Sequence, residues 1–466
     1  MTSQAFRVAV IGSGPAAFFT AEPLLGRADL GVTVDMYERL PAPFGLVRFG
    51  VAPDHQKIKA VTRQFDKAAR KPGFRFFGNV DVGARVSLDD LRRHYHAICF
   101  ATGAQTDKRL GIPGEDLARS HPATEFVAWF NGHPDYRHLA FDLSAERVAV
   151  IGVGNVAVDV ARMLCRTPEE LAATDIAPYA EAALAASRVR EVHLIGRRGP
   201  VQAAFTTPEV RELGELAGAD VCVRPDEVSL DPGSRAELAH ADDRALARKV
   251  ETLQEFSRRE RTGKARLLTL RFLVSPVALT DDGRGGVGGL RLARNRLEDD
   301  GKGGLRAVAT DDVEDLPVGL VFRSVGYRGV AIPGLPFDER SGTVPNDGGR
   351  VLQDGRPIPG LYVSGWIKRG PTGVIGTNKP DGAETVERIV ADATSGACPT
   401  PTDPDPAAAE AMVRARQPQL VTYPDWTRLD QAETARGQSQ GRPRVKFCSV
   451  EEMLEALGRA VGRLSG

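Results

Sequence analysis

Residues 7–17 and 147–157 repeat one plan, Arg-Val-Ala-Val-Ile-Gly-x-Gly-x-x-Ala. Its small residues are Gly12, Gly14 and Ala17 in the first copy and Gly152, Gly154 and Ala157 in the second. Each copy opens with a short apolar run between an arginine and a glycine, which reads as a buried strand of a parallel sheet. Each continues with helical spacing, over residues 18–25 and 158–164. A strand, a glycine turn and a helix, used twice, restrict the chain to an α/β architecture with two domains built on βαβ units.

The residue types at this spacing suit a dinucleotide. The first glycine makes a tight turn, the second lets backbone approach a pyrophosphate, and the small third residue packs helix against strand. The helix start then offers free N–H groups and the positive end of its dipole to phosphate. After the first copy, residues 32–38 read as the next strand, ending at Glu38. A carboxylate there suits two free ribose hydroxyls, as in FAD or NAD. After the second copy, the strand expected at residues 192–196 is followed by Arg197 and Arg198, with no carboxylate at its end. Paired guanidiniums suit a 2′-phosphate, so this copy predicts NADP(H) rather than NAD(H). The bland alternatives are a ligand-free glycine turn and a solvated arginine pair. Residues 166–190 form an insertion that stretches the usual spacing between helix and strand.

Further strands are expected at residues 97–103, 320–326 and 361–365, a hairpin loop at 281–286 and an exposed Pro/Thr/Asp-rich linker at 396–407. A helix over 449–464 is expected to open on a capping box, Ser449 to Glu452. The chain has 466 residues, 42% apolar and 26% charged, with formal net charge +0. This is an ordinary globular balance, giving no global pull toward nucleic acid or a membrane surface. No apolar stretch approaches the ~20 residues of a membrane span. The amino terminus lacks a basic segment followed by an apolar one, so no signal peptide is expected and the protein is read as cytoplasmic. The five cysteines form no C-x-x-C pair. A disulfide framework, a zinc knuckle and a cysteine-held iron–sulfur cluster are therefore not expected.

Four longer blocks carry a family resemblance: residues 40–55, 152–161, 196–206 and 365–378. The last reads Gly-Trp-x-Lys-Arg-Gly-Pro-x-Gly-Val-Ile-Gly-Thr-Asn. With Trp426 and residues 437–457, the chain resembles the adrenodoxin-reductase family of NADPH–ferredoxin reductases, in its actinobacterial form, over nearly its whole length. Gly365-Trp366 stands where many other two-dinucleotide flavoproteins carry Gly-Asp, in agreement with this family.

The resemblance implies two Rossmann-like domains, the NADP domain inserted into the FAD domain: 1–105 and 329–466 for FAD, 106–328 for NADP. It implies an FAD site including Gly12, Ala17, Glu38, Leu46, Val82, Trp366, Gly373, Val374 and Ile375. The NADP site would include Gly154, Asn155, Val156, Arg197, Arg198, Glu209 and Gly373, with Lys108 a weaker candidate. His55 and Glu212 would stand at the polar edge of the active site, in supporting roles. The implied reaction takes a hydride from NADPH onto FAD and passes single electrons to a small, acidic ferredoxin. Gly373 is expected to let the nicotinamide approach, and residues 370–373 to open a helix whose start stabilises the reduced flavin. Candidates for a basic face that steers the ferredoxin are Arg211, Arg244, Arg248, Lys249, Arg258 and Arg259, against an ordinary solvated helix face. The tail over 397–466 is expected to wrap the FAD domain.

Other readings have sequence tests. A disulfide reductase of this fold needs a C-x-x-C, and an electron-input subunit like that of glutamate synthase needs cysteines before Cys99; neither is present. A flavin monooxygenase differs in its reaction with oxygen, and a redox sensor in lacking turnover.

Overall fold

The computed structural model describes residues 5–459. Residues 1–4, and residues 460–464 of the helix expected over 449–464, lie outside that range. The chain packs into two units. The first comprises residues up to Thr106, Asn131–Arg137 and residues from Gly326 onward; the second comprises Asp107–Phe130 and His138–Val325.

The first unit is built on a seven-stranded sheet, in the order Asn346–Asp347, Arg350–Gln353, Arg356–Val363, Ala97–Phe100, Arg7–Ile11, Thr33–Tyr37, Phe74–Phe77. The last five run parallel and the first two antiparallel. Every residue of Arg7–Ile11 is buried, as the unbroken apolar run requires of a strand covered on both faces. Helix Pro15–Leu25 follows it. It starts three residues before the expected 18 because extended Gly14 precedes it and Pro15, with no N–H to lose, fits its first turn. Helix Asn378–Ser395 lies against it so closely that a Cβ on Gly382 would stand 3.0 Å from the Phe19 carbonyl oxygen.

The tail is part of this core. Helices Pro406–Arg416, Tyr423–Gln438 and Val450–Ala456 supply Val413, Trp426, Leu429, Met453 and Leu454 to apolar clusters shared with Val8, Phe18 and Phe44 or with Val86 and Leu91. The expected linker is irregular only over 396–405, because Pro406 starts a helix. It is also tied down: Arg7 donates to the Pro404 carbonyl (3.0 Å), and Asp403 N–H to that of Arg93 (2.8 Å). At Ser449 half of the capping box forms. The Ser449 hydroxyl accepts from Glu452 N–H, whereas the Glu452 carboxylate accepts from Cys448 N–H.

The second unit holds a six-stranded, wholly parallel sheet, in the order Ser120–Pro122, Leu320–Arg323, Arg147–Ile151, Glu191–Ile195, Arg266–Arg271, Ala219–Val223. An antiparallel meander of Val274–Asp281, Val287–Asp299 and Leu305–Leu316 buries Ala149, Ile151 and Ile195 beneath Leu279, Leu290 and Leu292. The expected hairpin loop joins its first two strands. Helix Asn155–Cys165 is buried from Ala157 to Cys165, and the 166–190 insertion folds into helices Pro168–Ala172 and Pro178–Ala185. No helix among the described residues is long and apolar enough to cross a membrane.

Strand order reverses beside the fingerprint strand of each parallel array. In the first unit this is beside Arg7–Ile11, between its neighbours Thr33–Tyr37 and Ala97–Phe100; in the second it is beside Arg147–Ile151, between Glu191–Ile195 and Leu320–Arg323. The crevice at the carboxyl ends of strands at such a reversal is where open α/β sheets bind ligands. Both fingerprints stand there.

Candidate functional site

The two glycine turns are matched in detail. Gly12 N–H donates to the Tyr37 carbonyl (2.8 Å) and Gly152 N–H to that of Ile195 (2.9 Å). Gly12 has φ +100°, and a Cβ there would stand 2.6 Å from the Ala101 carbonyl oxygen. Gly152 has φ +136°, with the Ser324 carbonyl oxygen 2.1 Å from the same position. Only glycine fits a backbone held this way against the neighbouring strand end. The second glycines differ: around Gly14 and Gly154 nothing beyond the adjoining chain lies within 4 Å of where a Cβ would stand. Their missing side chains answer to something other than protein packing, so both turns pass the test for a pyrophosphate approaching the backbone.

Around the first turn the structure gathers most of the residues assigned to FAD. The Glu38 carboxylate accepts from Ser13 N–H (3.1 Å), Ser13 hydroxyl (2.6 Å) and Leu40 N–H (3.0 Å). Burial raises its pKa above the ordinary carboxylate value, opposed by the Ser13 hydrogen bond. Phe44 N–H donates to the Ser13 carbonyl (2.9 Å), and Gly45 presses on Gly14, where its Cβ would stand 3.0 Å from Gly14 Cα. This lays the short helix Leu46–Phe49 beside the turn, with Leu46 exposed. Val80 N–H donates to the Glu38 carbonyl (2.8 Å) and leads to half-buried Val82. Gly365 lies against Ala16, bringing in Trp366 at the start of helix Trp366–Arg369.

The residues after Trp366 do not open a helix at 370–373. Gly370 (φ +87°) and Gly373 (φ +79°) are left-handed, so a single 3-10 turn, Ile375–Thr377, precedes the helix from Asn378. The Thr372 carbonyl accepts from the Trp366 indole (3.0 Å) and the Arg369 guanidinium (3.2 Å), fixing this loop. A Cβ on Gly373 would stand 2.5 Å from the Thr377 hydroxyl, which itself accepts from Val374 N–H. Gly373 and Val374 are exposed and Ile375 half-buried. Ser13, Arg369, Thr377 and half-buried Asp381, which accepts from Gly365 N–H and pairs with Lys368 (3.5 Å), were not singled out from the sequence. Arg369 and Thr377 stood inside the Gly-Trp block; nothing marked Ser13 or Asp381.

In the second unit, Asn155 accepts from Thr206 N–H (2.9 Å), and the Val153 carbonyl accepts from Ala204 and Phe205 N–H (both 2.9 Å). The fingerprint turn therefore holds the loop after Arg197 and Arg198. Arg197 is exposed and Arg198 half-buried; their carbonyls are fixed by Asn295 (2.7 Å) and Leu273 N–H (3.2 Å). Neither guanidinium makes an ion pair among the described residues. Val156 lies in the first turn of the fingerprint helix. On the same helix, fully buried Arg162 pairs with Asp159 (2.6 Å), Glu209 (3.3 Å) and Glu212 (3.8 Å). An arginine three residues after an acid in an apolar helix was the available signal for this cluster. It places Glu212 in an ion network rather than on a plain solvated face. Lys108 is exposed, with no side-chain partner among the described residues. His55, in the first unit, is buried at the start of helix Gln56–Lys59.

One member of the expected basic face is not on the surface. Lys249 is buried, and its ammonium donates to the Ala203 carbonyl, with burial lowering its pKa. Val250, Leu253 and Phe256 turn that side of the helix into the core. Arg211, Arg244, Arg248, Arg258 and Arg259 are exposed, Arg248 being paired with Glu251 (3.0 Å).

Residues 6–216 match the pyridine nucleotide-disulphide oxidoreductase family. The chain is 48% identical over 458 residues to the NADPH-ferredoxin reductase FprA of Mycobacterium tuberculosis H37Rv, covering 96% of this chain and 98% of that protein. It is 42% identical over 462 residues to the human mitochondrial NADPH:adrenodoxin oxidoreductase, covering 97% of this chain and 92% of that one. A solved structure of Mycobacterium tuberculosis FprA in complex with NADPH matches with a TM-score of 0.90 at 47% identity, over 97% of this chain and 99% of the other. Likeness of this extent spans both glycine turns, the Gly-Trp block and the tail. The chain belongs to the adrenodoxin-reductase family of NADPH–ferredoxin reductases.

Proposed function

We propose that this enzyme takes a hydride from NADPH onto FAD and passes the electrons singly to a small acidic ferredoxin, with FAD held by the first unit and NADP(H) by the second. The observation that carries the reading is the pair of glycine turns, each at a strand-order reversal and each with a second glycine open to a ligand. When bound, the flavin supplies the exchange between two-electron and one-electron transfer. The protein binds and orients. Glu38, held by Ser13, offers its carboxylate to a ribose with a free 2′-hydroxyl. Arg197 and Arg198 take the 2′-phosphate. Leu46, Val82, Trp366 and the 373–375 loop form the remaining wall, and Gly373 gives room above it. His55 and Glu212 act as positioning or proton-handling groups, each on its own unit. A cytoplasmic setting belongs to the same reading and suits five free thiols.

The test is NADPH-driven cytochrome c reduction, with and without a small ferredoxin, repeated with NADH. Strong stimulation by ferredoxin with NADPH preferred is the expected result. Flavin reduction without a ferredoxin effect would point to a different acceptor, and no flavin reduction by either nucleotide would sink the enzyme reading. A second check uses Gly154→Ala. The added methyl meets nothing beyond the adjoining chain, so Tm stays unchanged, but it crowds the pyrophosphate. Overpacking a tight contact costs about 1–3 kcal/mol, or roughly ten- to a hundredfold in KM for NADPH. An unchanged KM would remove the pyrophosphate from this turn.

A further inference from the structure

Helix Arg244–Arg258 of the second unit carries an ammonium inward. Lys249, Leu253 and Phe256 are buried at a spacing that puts them on one helix face. No carboxylate pairs with Lys249 among the described residues. The acidic groups that act on it are Asp243, at the start of its own helix, and Glu237, on helix Pro232–Ala241. Its ammonium donates instead to the Ala203 carbonyl and, more weakly, to that of Val201 (3.5 Å), with the Phe205 ring centroid 5.8 Å away. Burying an ammonium without a counter-charge opposes folding, and an apolar side chain of similar length would avoid that cost. The charge is therefore explained by what it holds. Residues 199–206 join Arg197 and Arg198 to helix Thr207–Leu213. At their start, the Gln202 side chain accepts from Gly199 N–H (3.1 Å) and donates to Glu237 (2.7 Å). In the middle, Lys249 takes the Ala203 carbonyl, and the next two N–H groups, of Ala204 and Phe205, go to the Val153 carbonyl inside the glycine turn (both 2.9 Å). The ammonium and the turn thus grip successive peptide groups of one loop.

We infer that Lys249 is a positioning residue for the second nucleotide site: it holds residues 199–206 against the glycine turn and so fixes the spacing between that turn, which takes the pyrophosphate, and the arginine pair, which takes the 2′-phosphate. The inference rests on the NADP(H) reading of this unit. A ligand held at two places binds more weakly when the spacing between them is no longer fixed in advance. NAD(H), which lacks the 2′-phosphate, uses only the turn and loses less.

The experiment measures Kd for NADP+ and for NAD+ by titration calorimetry on the flavin-loaded holoenzyme, unaltered and as Lys249→Met and Arg248→Met. Arg248 is exposed on the same helix, so its variant controls for the loss of a positive charge. Lys249→Met is expected to raise Kd for NADP+ roughly tenfold, the effect of one lost hydrogen bond to a charged group, and to leave that for NAD+ nearly unchanged. Arg248→Met changes neither. The unaltered enzyme gives a second reading that needs no variant. Burial lowers the Lys249 pKa, while Glu237 and Asp243 stay ionised at alkaline pH. As pH rises from about 7 to about 10 the ammonium loses its proton and its hold weakens, so Kd for NADP+ rises faster than Kd for NAD+. In Lys249→Met this divergence disappears. A Kd for NADP+ within about twofold of the unaltered value in Lys249→Met overturns the assignment. So does an equal weakening of both nucleotides with a lower Tm, or the same alkaline divergence in variant and unaltered enzyme. If the unaltered enzyme binds NADP+ no more tightly than NAD+, the nucleotide reading fails first and takes the role of Lys249 with it.

Discussion

Replacing Arg197 and Arg198 together by alanine is expected to raise KM for NADPH roughly a hundredfold while leaving the rate with NADH nearly untouched. Charge-assisted hydrogen bonds contribute about 1.5–3 kcal/mol each, and exposure here favours the lower figure, so the pair supplies about 3 kcal/mol. That converts to roughly a hundredfold in affinity. The contribution is specific to the 2′-phosphate, the only group by which the two nucleotides differ, so preference for NADPH collapses toward parity. Stability should not change, because neither guanidinium is engaged in an ion pair among the described residues. Steady-state KM values for both nucleotides, with Tm as the control, decide it. If the ratio between nucleotides survives the double substitution, the phosphate is read elsewhere.

Glu433→Ala should produce the largest loss of stability. Glu433 is completely buried on tail helix Tyr423–Gln438, and its carboxylate accepts from the Arg48 guanidinium (2.8 Å) and from Phe447 N–H (2.9 Å). Arg48 is buried too, lying over the rings of Phe49 and Trp426. Removing the carboxylate leaves a guanidinium and an N–H without their acceptor, a loss of about 3–5 kcal/mol for a broken buried pair. At about 2–4 °C per kcal/mol in a domain of this size, Tm should fall by roughly 10 °C. Arg48 lies in helix Leu46–Phe49, beside the first glycine turn, so flavin retention, read from visible absorbance against protein absorbance, should fall with it. A Tm within about 2 °C of the unaltered protein would contradict the role assigned to the pair. Replacing both partners by apolar residues, Arg48→Met with Glu433→Leu, should recover much of the loss.

The pair also sets a pH limit. Burial by itself would raise the Glu433 pKa, but the Arg48 charge and hydrogen bond outweigh it and hold the pKa below the ordinary carboxylate value. A carboxylate depressed in the folded state stabilises the fold above its unfolded pKa, near 4.3, and loses that contribution as pH falls through the folded value. The pair therefore holds across neutral pH and weakens only in acid.

Periodicity and two glycine turns were enough to read an α/β chain with two dinucleotide folds, because a buried parallel strand and a phosphate-binding turn leave few alternative residue types. Both fingerprint strands, both helices and the hairpin after Asp281 could be read in advance, as could the charge difference between Glu38 and Arg197–Arg198. What local spacing could not carry was anything decided by distant chain. Lys249 sits in a charge-rich helix and read as surface, yet Val250, Leu253 and Phe256 carry it inward onto the Ala203 carbonyl. Residues 370–373 read as a helix start, but left-handed Gly370 and Gly373 hold a loop that Trp366 and Arg369 fix through one carbonyl. Arg48 and Glu433 are 385 positions apart, and only the packing of the tail on the first unit makes them one buried pair. The chemistry of the turns could be read locally, since it is set by which residue types fit within a few positions of each other. Which charges are paired, buried or free depended on packing, because desolvation and long-range pairing follow from what the rest of the chain brings to that place.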